Sequence, residues 1–116
     1  MTELENTIDK LNQELRRGTI VISVLSQLKE MQYGYSLVQS LNANGLRLEQ
    51  NTLYPLLRRL ESQNLLESHW GVDGSRPRRY YKLSADGFQA LEILTREWNE
   101  MVVVMNQFMN PKEGDS

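Results

Sequence analysis

Apolar residues recur in this chain with a helical period in four stretches and with a strand period in two. Leu4, Ile8, Leu11 and Leu15 follow a 4,3,4 spacing that Gly18, Ile22 and Leu25 continue, which predicts a first helix over 4–29. Beyond Gly18 the segment IVISVLSQL is apolar around most of its circumference and belongs in a core, whereas the amphipathic first half has no evident partner within the chain. Tyr33-Gly34-Tyr35 opens a second helix through Leu37, Val38 and Leu41, and Asn44-Gly45 stops it because both residues tolerate the left-handed conformation. Leu46-Arg47-Leu48 reads as a short extended connector and a candidate third strand.

A third helix starts near Asn51-Thr52, both competent N-caps, and ends at Asn64. Leu53, Leu56, Leu57 and Leu60 share one stripe of it, while Asn51, Tyr54, Pro55, Arg58 and Ser62 take the other side. Two strands follow, 65–70 and 78–83. Alternation places Leu66, Ser68 and Trp70 on one face of the first, and Arg79, Tyr81 and Leu83 on one face of the second. The loop between them, about seven residues long, contains Asp73-Gly74-Ser75 and Pro77. The last helix begins at an N-cap Ser84, and its Leu91, Leu94, Trp98, Met101, Met105 and Phe108 form a heptad seam.

These elements predict a mainly α protein with a small β-hairpin: a winged helix-turn-helix domain flanked by N- and C-terminal dimerisation helices. Residues 1–17 form a helical arm that contributes to dimerisation, 18–83 the winged-helix domain, 84–109 the second dimerisation helix and 110–116 a disordered tail. A core of this size cannot cover two long amphipathic helices, so Leu4, Ile8, Leu11 and Leu15, with the seam from Leu91 to Phe108, are expected to bury themselves against a second copy. A two-fold pair of reading helices also suits a palindromic target.

Composition limits the chemistry. A hydrophobic content of 40% supports a folded core, and no apolar run approaches a membrane span. The acidic, polar N-terminus shows no secretory signal, and the absence of cysteine removes disulfides and thiolate metal sites; together these fit a cytoplasmic protein in a reducing cytosol. No paired His/carboxylate motif, glycine-rich phosphate loop or nucleophile context is present, so no enzyme activity, metal or cofactor is expected. His69 is isolated, and Glu92, Glu97 and Glu100 form a solvated face.

The formal net charge of −2 hides an uneven distribution. Residues 47–82 hold seven Lys/Arg (Arg47, Arg58, Arg59, Arg76, Arg78, Arg79, Lys82) against four acids, whereas 83–116 hold two bases against six acids. Over a Debye length of roughly 8 Å the local surplus governs, which favours double-stranded DNA as partner. Tyr54 and Arg58, with Asn51, Thr52, Pro55 and Arg59, form the candidate reading surface; Asn51 and Thr52 serve both as caps and as phosphate neighbours. Ser75, Arg76, Arg78 and Arg79 are the candidate wing contacts. Alternation sends Arg78 and Arg79 to opposite faces, which leaves Arg76, nearest the tip, as the best contact. Tyr33, at a helix start, suits a phosphate contact or core packing. The competing function is a winged-helix module that binds a partner protein through the same surface or through its acidic terminal helices.

The segments YGYSLVQSL (33–41), NTLYPLLRRLESQNLL (51–66) and RPRRYYKLSADG (76–87), with the helix around Trp98, resemble the PadR family of bacterial transcriptional regulators. The resemblance covers about residues 18–100. It implies a winged-helix homodimer that represses a nearby promoter and is relieved in some members by a small aromatic or lipophilic effector. In some members a Trp on this helix lines an effector pocket at the dimer centre, which implies that role for Trp98, with Met101 one turn on able to make such a pocket adaptable; the alternative is that Trp98 plugs the dimer seam. One departure is Asn51, where many members carry Gly or Ala, so operator preference does not carry over. The acidic arm 1–15 lies outside the common core.

Overall fold

Leucines from the helices and the hairpin converge on one core. Val24, Leu25 and Leu28 meet Leu37 and Leu41, the stripe Leu53, Leu57 and Leu60, and Leu66, Tyr81, Leu83 and Leu91. A computed structural model describes residues 2–74 and 76–112. The elements run α1 (Glu3–Gln27), β1 (Gln32–Tyr33), α2 (Gly34–Ala43), α3 (Gln50–Ser62), β2 (Leu66–Asp73), β3 (Arg76–Leu83) and α4 (Ala85–Met109). The protein is thus mainly helical with a small antiparallel sheet of order β1-β3-β2, a winged helix-turn-helix.

Three local expectations are corrected. The third strand is not Leu46-Arg47-Leu48 but Gln32–Tyr33, which pairs with Tyr81 and Tyr80 of β3. The side-chain amide of Asn42 takes the place of a strand partner for the connector. Its Oδ1 accepts from the Leu48 N–H at 3.3 Å and its Nδ2 donates to the Leu48 carbonyl at 3.1 Å, so Leu48 has no need of a ladder.

The second correction concerns the start of α3. Its N-cap is Glu49, without a side-chain cap bond, and Asn51 and Thr52 lie inside the first turn. Leu48 and Leu53 flank that cap and are both buried in the core. This is the arrangement of a hydrophobic staple, and it sets the entry angle without a polar cap. The helix passes through Pro55 unbroken, near enough to the start to lose only the bond to the Asn51 carbonyl.

Third, the hairpin is tight. Its ladder runs from Leu66↔Leu83 to Asp73↔Arg76, against an expected loop of about seven residues. Pro77 sits opposite Val72, beyond the reach of β1, where β3 has a neighbour on one side only. There a missing N–H does no damage.

The C-terminal helix is joined firmly to the end of α3. Asn64 turns the chain with a positive φ of 64°. Its carbonyl accepts from the Ser84 hydroxyl at 2.7 Å, and the same hydroxyl accepts from the Gly87 N–H at 2.9 Å as the N-cap of α4. The Ser84 N–H donates to the Leu65 carbonyl at 3.1 Å. A Cβ on Gly87 would stand 2.1 Å from that same carbonyl oxygen, so only glycine lets α4 approach this closely.

The outer halves of the two long helices leave the core. The radius of gyration is 17.4 Å, well above the ~13 Å of a compact chain of this length. Leu4, Ile8, Leu11 and Leu15 are exposed, as are Trp98, Met101, Met105 and Phe108. Val102, Val103 and Val104 are exposed too, so this part of α4 is apolar around more of its surface than the heptad seam implied. Leu91 is a correction to the proposed seam: at 6% exposure it belongs to its own chain's core, and Leu94 packs against that core. The expected boundary between 17 and 18 falls within the continuous helix α1. No helix among the described residues is long and apolar enough to cross a membrane.

Candidate nucleic-acid interface

The leucine stripe of α3 faces inward, which leaves the other side of the helix to solvent. Asn51, Thr52, Pro55, Arg58 and Arg59 are exposed there. Tyr54 was expected on the same open face but is half-buried, and its ring lies across the start of α2. A Cβ on Gly34 would come within 2.2 Å of the Tyr54 ring, so the Tyr-Gly-Tyr segment and Tyr54 form one contact.

The hairpin stands beside this helix and its faces differ in chemistry. Each set of three shares a strand face as alternation predicted, and the register adds that Leu66, Ser68 and Trp70 lie on the same side as Leu83, Tyr81 and Arg79. Arg79 donates from Nη2 to Glu61 Oε1 at 2.8 Å and to Ser68 Oγ at 3.0 Å, and the Ser68 hydroxyl donates to the other Glu61 oxygen. Its guanidinium also lies 5.9 Å from the Trp70 ring centroid and 5.6 Å from that of Tyr81. Arg79 is therefore engaged within the chain, tying the hairpin to α3, which disfavours the DNA contact expected of it.

Arg78 takes the opposite face, stacked 4.5 Å over the ring of Tyr33. Tyr33 in turn meets Tyr80 edge to face at 5.7 Å. The two readings of Tyr33, phosphate contact and packing, thus meet in a half-buried ring beneath a guanidinium at the N-cap of α2. Arg76 is exposed at the hairpin end, and Ser75 lies outside the described residues.

Between α3, the start of α2 and the hairpin lies an open cleft of about 310 Å³, lined by Tyr33, Gly34, Tyr35, Tyr54, Arg58, Trp70, Arg78, Arg79 and Tyr81. Burial pushes the Tyr81 phenol above its usual pKa; nearby Arg79 opposes the rise and Glu61 adds to it. Sequence reasoning missed three participants. Strand alternation gives Trp70 a face but no role, Tyr35 reads only as part of a helix start, and Glu61 carries no signal of its own along the chain. The signal for Glu61 lay in its three-dimensional nearness to Ser68 and Arg79, which spacing along the chain does not reveal. Among the described residues, no group of His, Cys, Asp and Glu could hold a metal ion.

Residues 21–93 match the sequence pattern of the transcriptional regulator PadR-like family. A Mycobacterium tuberculosis transcriptional regulator is 35% identical over 79 residues, which span 67% of this chain and 74% of that protein. A PadR family transcriptional regulator from Eggerthella lenta, known from its crystal structure, is 43% identical with a TM-score of 0.84, covering 94% of this chain and 97% of that one. Bacillus subtilis PadR, solved in complex with operator DNA, shares the fold at a TM-score of 0.62 and 18% identity, over 66% of this chain and 45% of that one.

Proposed function

The chain belongs to the PadR-like family of transcriptional regulators, and we propose that it acts as a repressor, occupying a palindromic operator as a homodimer in the bacterial cytoplasm. The observation that carries the DNA reading is the exposed strip Asn51, Thr52, Pro55, Arg58 and Arg59, set opposite the buried leucines of α3 with Arg76 exposed on the neighbouring hairpin. Such a helix fits the major groove while a hairpin tip reaches phosphate or the minor groove. That Bacillus subtilis PadR, a protein of the same fold, was solved with operator DNA supports the same partner for this chain. In this reading Arg58 and Arg76 supply the main cationic contacts, Tyr54 borders the bases, and Tyr33 lies beside the backbone.

The dimer is supported by the apolar outer halves of α1 and α4. Burying an exposed Leu, Ile or Phe is worth roughly 1.5–3 kcal/mol, and Leu4, Ile8, Leu11, Leu15, Trp98, Met101, Met105 and Phe108 all stand exposed on one copy. Trp98 and Met101 lie midway along the free part of α4, where a second copy would enclose them. A flat aromatic or lipophilic effector between the paired indoles would shift the spacing of the two reading helices and release the operator.

Selection of bound genomic fragments by the purified protein, with sedimentation at micromolar concentration, tests the reading. We expect a dimeric mass and enriched inverted repeats with half-sites about one DNA turn apart. A monomeric mass would remove the dimer. Selection that enriches no DNA while a stoichiometric protein partner co-purifies would replace the whole reading with the protein-interaction module.

A further inference from the structure

Resting on the DNA-binding reading, the cleft beside α3 has a consequence of its own. The major groove and the adjacent minor groove of a duplex are separated by one sugar–phosphate strand. A protein that places α3 in the first and a hairpin toward the second must pass that strand over the gap between them. Here the gap is the cleft walled by Arg58 on one side and Trp70 on the other.

The two walls differ in chemistry. Arg58 is exposed and cationic, suited to a phosphate. Trp70 is 72% exposed, and Val72, two residues on along the same face, is 73% exposed. Large apolar side chains in a row on a wing have nothing to gain from phosphate, but they complement the C–H face of a deoxyribose. The indole does not stand alone either: Arg79 lies against it and is itself fixed by Glu61 and Ser68.

We propose that this cleft is a saddle for one sugar–phosphate strand, with Trp70 packing on a deoxyribose and Arg58 neutralising the adjoining phosphate. Trp70 is then a DNA-contacting residue that adds affinity without adding charge.

Salt dependence separates the two roles. Binding of a selected operator fragment is titrated over a range of KCl for the wild type, Trp70→Ala, Trp70→Phe and Arg58→Ala, each checked for folding by thermal melting. Trp70→Ala is expected to weaken binding about tenfold, the scale of a well-packed aromatic at an interface, with an unchanged slope of log affinity against log salt. Trp70→Phe is expected to keep most of the affinity, and Arg58→Ala to reduce the slope by about 0.9 for each of the two copies on the operator, about 1.8 in all. Operator DNA should also protect wild-type tryptophan fluorescence from acrylamide, and that protection should vanish in Trp70→Phe. If Trp70→Ala binds as tightly as the wild type, or changes the slope as Arg58→Ala does, the saddle is overturned while the DNA reading stands. If the wild type binds no fragment at all, both fall together.

Discussion

The guanidinium of Arg79 meets the carboxylate of Glu61 at 2.8 Å, joining the hairpin to the end of α3. With Ser68 bonded to both, the three side chains close a small polar network beneath Trp70. Removing Glu61 leaves a half-buried cation without its counter-charge. Both partners keep partial solvent access, so we expect Glu61→Ala to cost only about 1 kcal/mol in urea unfolding. A double-mutant cycle with Arg79→Ala should recover most of that loss as coupling; additive losses would show that the pair contributes nothing to stability.

Gly87→Ala should be far more damaging. The new methyl would meet the backbone carbonyl oxygen of Leu65 at 2.1 Å, and a backbone atom cannot rotate out of the way. Overpacking of this kind costs about 1–3 kcal/mol. A melting temperature equal to that of the wild type would contradict the close docking of α4.

Gly34→Ala acts through Tyr54. The added Cβ displaces a side chain, not backbone, so the fold should survive while the tyrosine ring leaves its place. Operator affinity of Gly34→Ala should fall to that of Tyr54→Ala, and the double variant should be no weaker than Tyr54→Ala. Further weakening in the double variant would separate the two residues.

Arg76→Ala should weaken binding to every DNA sequence alike and lower the salt slope by about 1.8, the signature of one lost phosphate contact in each half of the dimer. Tyr54→Ala should also change base preference. A gel-shift titration in which neither substitution affects the operator would remove both from the interface.

Tyr81 makes stability fall at alkaline pH. Its folded pKa lies above the usual 10.0, mainly through burial. Above pH 10 the unfolded chain releases the phenolic proton first, so stability is full below that pH and is lost as pH rises toward the folded value. Urea midpoints measured between pH 9 and pH 11 should decline, and Tyr81→Phe should decline less steeply. Parallel profiles would assign the loss to other groups.

Much of this architecture could be read along the chain because its signals are periodic. The leucine stripe of α3, the heptad of α4 and the strand alternation that separated Arg78 from Arg79 each depend on neighbours a few residues apart. What escaped were substitutions of one kind of partner for another. Asn42 supplied to Leu48 the bonds that a strand would have given, and the pair Leu48 and Leu53 replaced a polar cap at Glu49. At the candidate interface, Asn51, Pro55, Arg58 and Ser62 lie exposed on α3 as the periodicity implied, whereas Tyr54 is half-buried against the start of α2. Arg79 departs from expectation too, because its partner Glu61 is eighteen residues away and on another element. Trp70 is not legible as a contact because alternation gives a face but not what stands across from it.

The joint at Asn64, Leu65, Ser84 and Gly87 also makes α4 a lever. From Gly87 to Phe108 the helix extends about 32 Å at its usual rise, and its near end is held against the residues that terminate α3. A sideways shift of about 4 Å at Phe108 therefore corresponds to a rotation of about 7° at that joint, for a rigid helix of this rise. In an assembly that grips the far ends of two such levers, a small change in how they cross becomes a change in the angle at which two reading helices are presented.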